Sequence, residues 1–108
     1  MTDRELLENA AKAAGMAVDT QIGLWNWCDH GRFNGGMYRM HRTILEYWNP
    51  LTDDGDALRL AVKLEMCIDF MNKRVIAGDS CPDIIIDFED DYKRAIVHAA
   101  AEIGKAML

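Results

Sequence analysis

The run Cys28-Asp29-His30, with His41 further along, gathers a thiol, a carboxylate and two imidazoles, groups that bind zinc. Cys28 and His30 lie two apart and share one side of an extended chain, and His41 comes near only across a hairpin. A structural zinc takes four ligands in a tetrahedron, and Cys67 and Cys81 stand far off in the sequence. The group therefore predicts a small buried thiol beside polar residues near a turn, with no metal and no cofactor. Cys28 or Cys81 with His41 is also a formal thiol–imidazole pair. Nucleophilic catalysis further needs hydrogen-bond reach and a third group that orients the base, and the spacing supports neither. His98, between Arg94 and Glu102 on the polar side of a helical pattern, reads as exposed. The expectation is a protein without catalytic residues, with hydrolase activity from some unforeseen site as a distant third reading.

Two acidic groups stand out. Asp53, Asp54 and Asp56 resemble the start of a calcium loop, but ALRLA follows where the remaining acidic ligands belong. They suit the cap and first turn of a helix. Asp83, Asp87, Glu89, Asp90 and Asp91 cluster before a second helical stretch, either as caps or as an acidic edge that faces a partner. GRFNGG, residues 31–36, lacks the Gly-Lys-Ser/Thr ending of a phosphate loop and reads as a turn. Arg39, His41 and Arg42 with Trp25 and Trp27 make a basic-aromatic group in which stacking and phosphate contacts could hold a nucleotide or a single strand.

The chain has 108 residues and a mass of 12.2 kDa, which fits one small domain over 1–108. Its net charge of −6 and pI near 4.9 oppose the approach of DNA, so direct DNA binding is not expected. The same field favours a basic partner, such as a nucleic-acid-binding protein. Three widely spaced cysteines are no disulfide framework and suit a reducing compartment. No apolar run is long enough to span a membrane, and the opening MTDRELLENAAKAAG has no apolar signal core. The expected location is the cytoplasm of the cell that makes it.

The elements that must position these residues follow from periodicity. Thr2 and Glu5 read as a capping box, Leu6, Leu7, Ala10 and Ala14 as a buried stripe, and Gly15 as the stop of a helix over about 3–14. Residues 22–30 favour a strand with Trp25 and Trp27 on one face, which is either core floor or binding face. After the 31–36 turn, residues 37–48 resume as extended chain, the 43–48 portion being a continuation or a further strand. Asn49-Pro50 forces a turn, and Thr52 or Asp53 caps a helix whose stripe reads Leu58, Ala61, Val62 and Leu64. Residues 66–71 and 74–77 read as a hairpin turning at Asn72-Lys73, broken by 78–83. Residues 84–88 are open between strand and helix. A helix over about 88–106, capped by Asp87 or Asp90, carries Tyr92, Ala95, Ile96, Ala99, Ile103 and Met107 on its apolar face. The order is α-β-β-α-β-β-α, an α+β class of small sandwich with short antiparallel hairpins covered by helices. Helix followed by hairpin, twice, hints at duplication, without support from residue identity.

The block Trp48-Asn49-Pro50-Leu51-Thr52-Asp53-Asp54-Gly55-Asp56, running on through ALRLAVKL, resembles the signature of small tailed-phage and prophage proteins described as the phage ABA sandwich domain. DRELLENAAKAAG is similar to that family's opening helix and RAIVHAAAEIGKAM to its closing one. Together these span roughly two fifths of the chain in the family's order. Residues 16–47 are longer than the family's short aromatic hairpin, and 65–91, above all CPDIIIDFEDDY, depart from it. The resemblance implies a sheet with helices on both sides, a phage or prophage origin and an accessory role. It transfers no catalytic residue.

These readings combine into an expected non-enzymatic, host-directed interaction protein, acting in the bacterial cytoplasm. Its partner would be a host protein or complex, a CRISPR effector inhibited in counter-defence being the specific form. Asp83, Asp87, Glu89, Asp90 and Asp91 would supply charge, and Trp25, Trp27, Phe33, Tyr38 and Trp48 the aromatic anchors. The alternative is a nucleotide- or single-strand-binding module using Arg39, Arg42, Trp25 and Trp27. A homodimer through Met37, Met40 and the tryptophan face is expected if those side chains are exposed.

Overall fold

Thr2 accepts a hydrogen bond from the Glu5 N–H at 3.2 Å and opens the first helix, α1 (Asp3–Ala13). Gly15, at φ +80°, ends it as the sequence predicts. The computed structural model describes residues 2–16, 25–29, 35–41, 43–77 and 84–107. After α1 come β1 (Asn26–Trp27), β2 (Met37–His41), β3 (Ile44–Trp48), α2 (Asp54–Lys63), β4 (Cys67–Asp69), β5 (Arg74–Ala77), β6 (Ile84–Asp87) and α3 (Tyr92–Ala106). Three helices flank two antiparallel sheets, ordered β1-β2-β3 and β4-β5-β6. The α+β sandwich is the fold formed. Residues 43–48 hold a separate strand rather than a continuation of β2, and 84–88, open between strand and helix, hold a strand, so each hairpin carries a third strand and each half reads α-β-β-β where α-β-β was expected.

The core is one cluster, with Leu7, Met37, Val75, Ile96 and Val97 fully enclosed. Helix α3 runs through its centre. It buries Ala95, Ile96, Val97, Ala99, Ala100, Ala101 and Gly104, well over the single face that its periodicity predicts. The reason is that it is covered from several directions: α1 on one side, α2 and β5–β6 on others. Small side chains let α1 and α3 approach closely. Arg94 pairs with Asp3 at one end (3.0 Å), and the Lys12 ammonium donates to the Met107 carbonyl at the other (2.8 Å), so the two helices run parallel.

Three local expectations are corrected. Leu58 and Val62 are not in the α2 stripe, and Val62 is 77% exposed. The buried side is Ala57, Leu60 and Ala61, preceded by the buried carboxylate of Asp56. Asp56 turns inward because it accepts the Asn49 N–H at 3.0 Å, and that bond fixes the rotation of the helix. Helix α3 begins at Tyr92, capped by Asp91 rather than by Asp87 or Asp90; Asp91 accepts the Arg94 N–H at 3.0 Å. Met37 is fully buried, so only Met40 of the two methionines is on the surface. Among the described residues no helix is long and apolar enough to cross a membrane.

Candidate interaction surface

In the first sheet, alternation along the strands sets two faces. Trp27, Met37 and Trp48 are in register, as are Arg39 and Glu46, and Trp25 shares their side. This is the core face. Trp25 is buried, and Trp27 and Trp48 pack against the core cluster. Arg39 lies on the same face. Its guanidinium sits 4.9 Å from the Trp25 ring centre and donates to Glu46 at 2.6 Å. The described part of the basic-aromatic group is thus engaged internally. Tyr38 lies on the opposite, outer face beside Tyr47, ring centres 4.8 Å apart. Burial raises its hydroxyl pKa above the ordinary value, and Tyr47 and Cys28 add to the rise. Asp83, Phe33, Arg42, His30, Cys81 and the side chain of His41 lie outside the described residues. Cys28 and Cys67 are free thiols, and among the described residues no three His, Cys, Asp or Glu side chains are grouped to hold a metal.

The second acidic group does come together. Where β6 gives way to α3, an open cleft of roughly 230 Å³ has Ile86, Phe88 and Ala95 as its apolar lining. Asp87, Glu89, Asp90 and Asp91 line it too, with Arg94 and His98 on the helix side. The chain passes here from strand to helix in four residues, which brings these carboxylates close together in the chain. They are not equivalent. Asp91 is occupied as the cap of α3, and Arg94 is held by Asp3. His98 stands 3.6 Å from Glu102. Asp87, Glu89 and Asp90 are exposed, and no hydrogen bond or ion pair engages their side chains among the described residues.

Beside the cleft is an aromatic cluster that sequence reasoning missed. The Asp69 carboxylate accepts the N–H groups of Met71 and Asn72, both at 3.1 Å, so the β4–β5 turn begins at Asp69 and takes Phe70 and Met71 into its tip. Lys73 closes the turn at φ +55°. Phe70 is 60% exposed and Met71 94%. Phe70 meets Phe88 edge-on (centres 6.3 Å apart) and Tyr92 edge-on (5.6 Å). The Tyr92 hydroxyl donates to Asp54, which Lys93 also contacts at 3.2 Å, so the ring behind Phe70 is fixed. The available signal was Asp69 followed by two large apolar residues ahead of Asn72. An Asp that bonds the backbone two residues on starts a turn, and apolar residues in a turn have no core to enter.

Comparison with protein-family models, with curated proteins and with solved structures gives no match.

Proposed function

We propose that this chain is a non-enzymatic phage accessory protein that binds a basic host protein or complex, a nucleic-acid-binding defence complex being the form of partner that fits. The observation that carries the reading is that Asp87, Glu89 and Asp90, whose side chains no hydrogen bond or ion pair engages among the described residues, line one cleft whose arginine, Arg94, is paired with Asp3. A lysine or arginine side chain entering it meets both carboxylates and the apolar surface of Ile86, Phe88 and Ala95 in the lining. That combination suits a long side chain with an apolar stem and a charged head. Phe70 and Met71, held beside the cleft, supply apolar area of the kind that dominates affinity at interfaces. The charge speeds encounter and selects partners, and the aromatic tip holds them. The net charge of −6 acts in the same direction at longer range. The phage origin rests on the resemblance of the 48–64 block and of the two terminal helices.

The test is capture from bacterial lysate at low salt with the tagged wild-type chain and with a triple variant, Asp87→Lys, Glu89→Lys and Asp90→Lys. Asp91 is left in place because it caps α3. A basic host protein retained near stoichiometry by the wild type, released by salt and not retained by the variant, is the expected result. Equal retention by the variant contradicts the electrostatic part of the reading. Recovery of nucleotide or nucleic acid instead supports the alternative binding module.

A further inference from the structure

We infer that the basic partner enters as an extended strand that adds to the open edge of β6, an inference that rests on the reading of the acidic cleft as a site for a basic protein. Strand β6 is the last strand of its sheet, and among the described residues no strand pairs with its far side. The register with β5 decides which of its backbone groups are free. Phe88 donates its N–H to the Lys73 carbonyl at 2.9 Å. Antiparallel bonds recur at every second residue, so Ile86, opposite Val75, and Ile84, opposite Ala77, also turn their backbone groups to β5. The N–H and C=O groups of Ile85 and Asp87 therefore point to the open side. Ile86, Asp87 and Phe88 line the acidic cleft together with Arg94, Ala95 and His98 of α3, and no residue of β5 does. That places the cleft toward the open side of β6 rather than over the sheet.

Charge selects the occupant. A charged side chain on an edge strand bars strands of the same sign. Asp87 is such a charge on β6, and Glu89 and Asp90 follow it. A second copy of this chain brings the same Asp87 and a net charge of −6, so these carboxylates repel it. A strand with lysine or arginine opposite Asp87 is drawn instead, because opposite charges on neighbouring strands stabilise the pair. In such an addition the main chain supplies affinity and alternate side chains supply selectivity. Both pairs in this sheet are antiparallel, and the added strand is taken as antiparallel too. The incoming residue opposite Asp87 then lies on the outer face, beside that carboxylate. The residue before it lies opposite Phe88, on the face of Ile86 and the fully buried Val75. A long basic side chain there lays its apolar stem on that face. The next two incoming residues stand opposite Ile86 and Ile85, which suits β-branched side chains. The segment recognised reads basic-basic-apolar-apolar from its N-terminus.

The probe is a capped peptide, Thr-Arg-Lys-Val-Val-Thr, titrated into the full chain at low salt. Its lysine is set opposite Asp87 and its second valine opposite Ile85, so these two residues donate their N–H groups to β6. N-methylation of both is expected to weaken binding at least about tenfold. N-methylation of the arginine and the first valine, whose N–H groups point away from β6, leaves binding unchanged. Ile85→Pro removes one outward N–H, breaks no bond to β5 and keeps every carboxylate. It is expected to weaken the unmodified peptide several-fold. Hydrogen exchange at the Ile85 and Asp87 amides is expected to slow when the peptide binds, a readout that needs no variant. Equal binding of the two methylated peptides overturns strand addition and leaves the basic-partner reading in place. So does an Ile85→Pro chain that binds as tightly as the wild type, or exchange at Ile85 and Asp87 that bound peptide does not slow. An unmodified peptide that fails to bind at up to about 5 mM also overturns it. The lysate capture, which needs no strand geometry, then decides the basic-partner reading by itself.

Discussion

Phe88 lines the acidic cleft and at the same time meets Phe70 edge-on, ring centres 6.3 Å apart and planes at 79°. That contact joins the charged part of the proposed surface to its apolar part. Phe70→Ala therefore separates binding from folding. Phe70 is largely exposed, and its loss removes two edge contacts at a cost of about 1 kcal/mol in stability. Partner affinity is expected to fall about tenfold or more. Chemical denaturation beside a titration of the captured partner checks both numbers. Equal affinity with intact fold would remove the hairpin tip from the surface.

The α1–α3 contact leaves no room at Gly104. A Cβ built there would stand 1.9 Å from the Asn9 carbonyl oxygen, which is backbone and cannot swing away. Gly104→Ala is expected to lose about 2 kcal/mol or more through overpacking, although alanine is the better helix former in isolation. A lowered thermal midpoint checks it. A raised midpoint would show that the helices can part without cost.

Asn49 ties three segments together. Its amide donates to the Gly35 carbonyl at 3.0 Å, its side-chain oxygen accepts the Leu51 N–H at 3.0 Å, and its own N–H reaches Asp56. Asn49→Ala leaves a carbonyl and an N–H without partners at a buried site and is expected to cost about 2–3 kcal/mol. Asn49→Asp keeps the acceptor for Leu51 but loses the bond to Gly35. It also brings a second carboxylate near Asp56, so it rescues little. Urea midpoints of the two variants against the wild type provide the measurement.

Stability is expected to fall at both ends of the pH range, through partly shared groups. The Tyr92 hydroxyl, then Lys93, hold the Asp54 carboxyl below its usual 3.8, and Asn72 does the same for Asp69. Folded-state values below the unfolded ones stabilise above about pH 4 and are lost as the pH drops through the lowered values. Asp54 in turn raises Tyr92 above 10.0 and Lys93 above 10.5. Their contribution is complete below those unfolded values and is lost as the pH rises through the raised ones. Asp54→Asn should flatten both arms of a plot of thermal midpoint against pH. Asp69→Asn should flatten the acid arm alone, since Asp69 faces no group that titrates in alkali through it.

What could be read in advance was local. Thr2, Gly15 and Asp53 act on backbone groups within a few residues, so α1 and the start of α2 were legible; a hairpin within 66–77 was too, but its turn, expected at Asn72-Lys73, begins after Asp69. The side of α2 that is buried was not, because Asp56 is turned inward by Asn49 from another segment. Leu58 and Val62 look like core in a helical wheel and are surface for that reason. The acidic group at 87–91 was legible as a cluster, but that Asp91 alone is the cap of α3 depends on where the strand ends. Trp25, Trp27 and Trp48 drew attention as anchors by type alone. Their register with Met37 and Arg39 is what turns them to the core. The aromatic tip was missed because Phe70, Phe88 and Tyr92 meet only once three elements are assembled.

On the proposed function, Asp87, Glu89, Asp90 and the Phe70–Met71 tip act as one surface for a basic partner. Amide chemical-shift mapping with an arginine-rich peptide, at low and then high salt, tests it most directly. Shifts confined to residues 87–91 and 69–72, reversed by salt and absent in the triple-lysine variant, are the predicted result. Shifts spread evenly over the acidic surface, or centred away from the cleft, would contradict it.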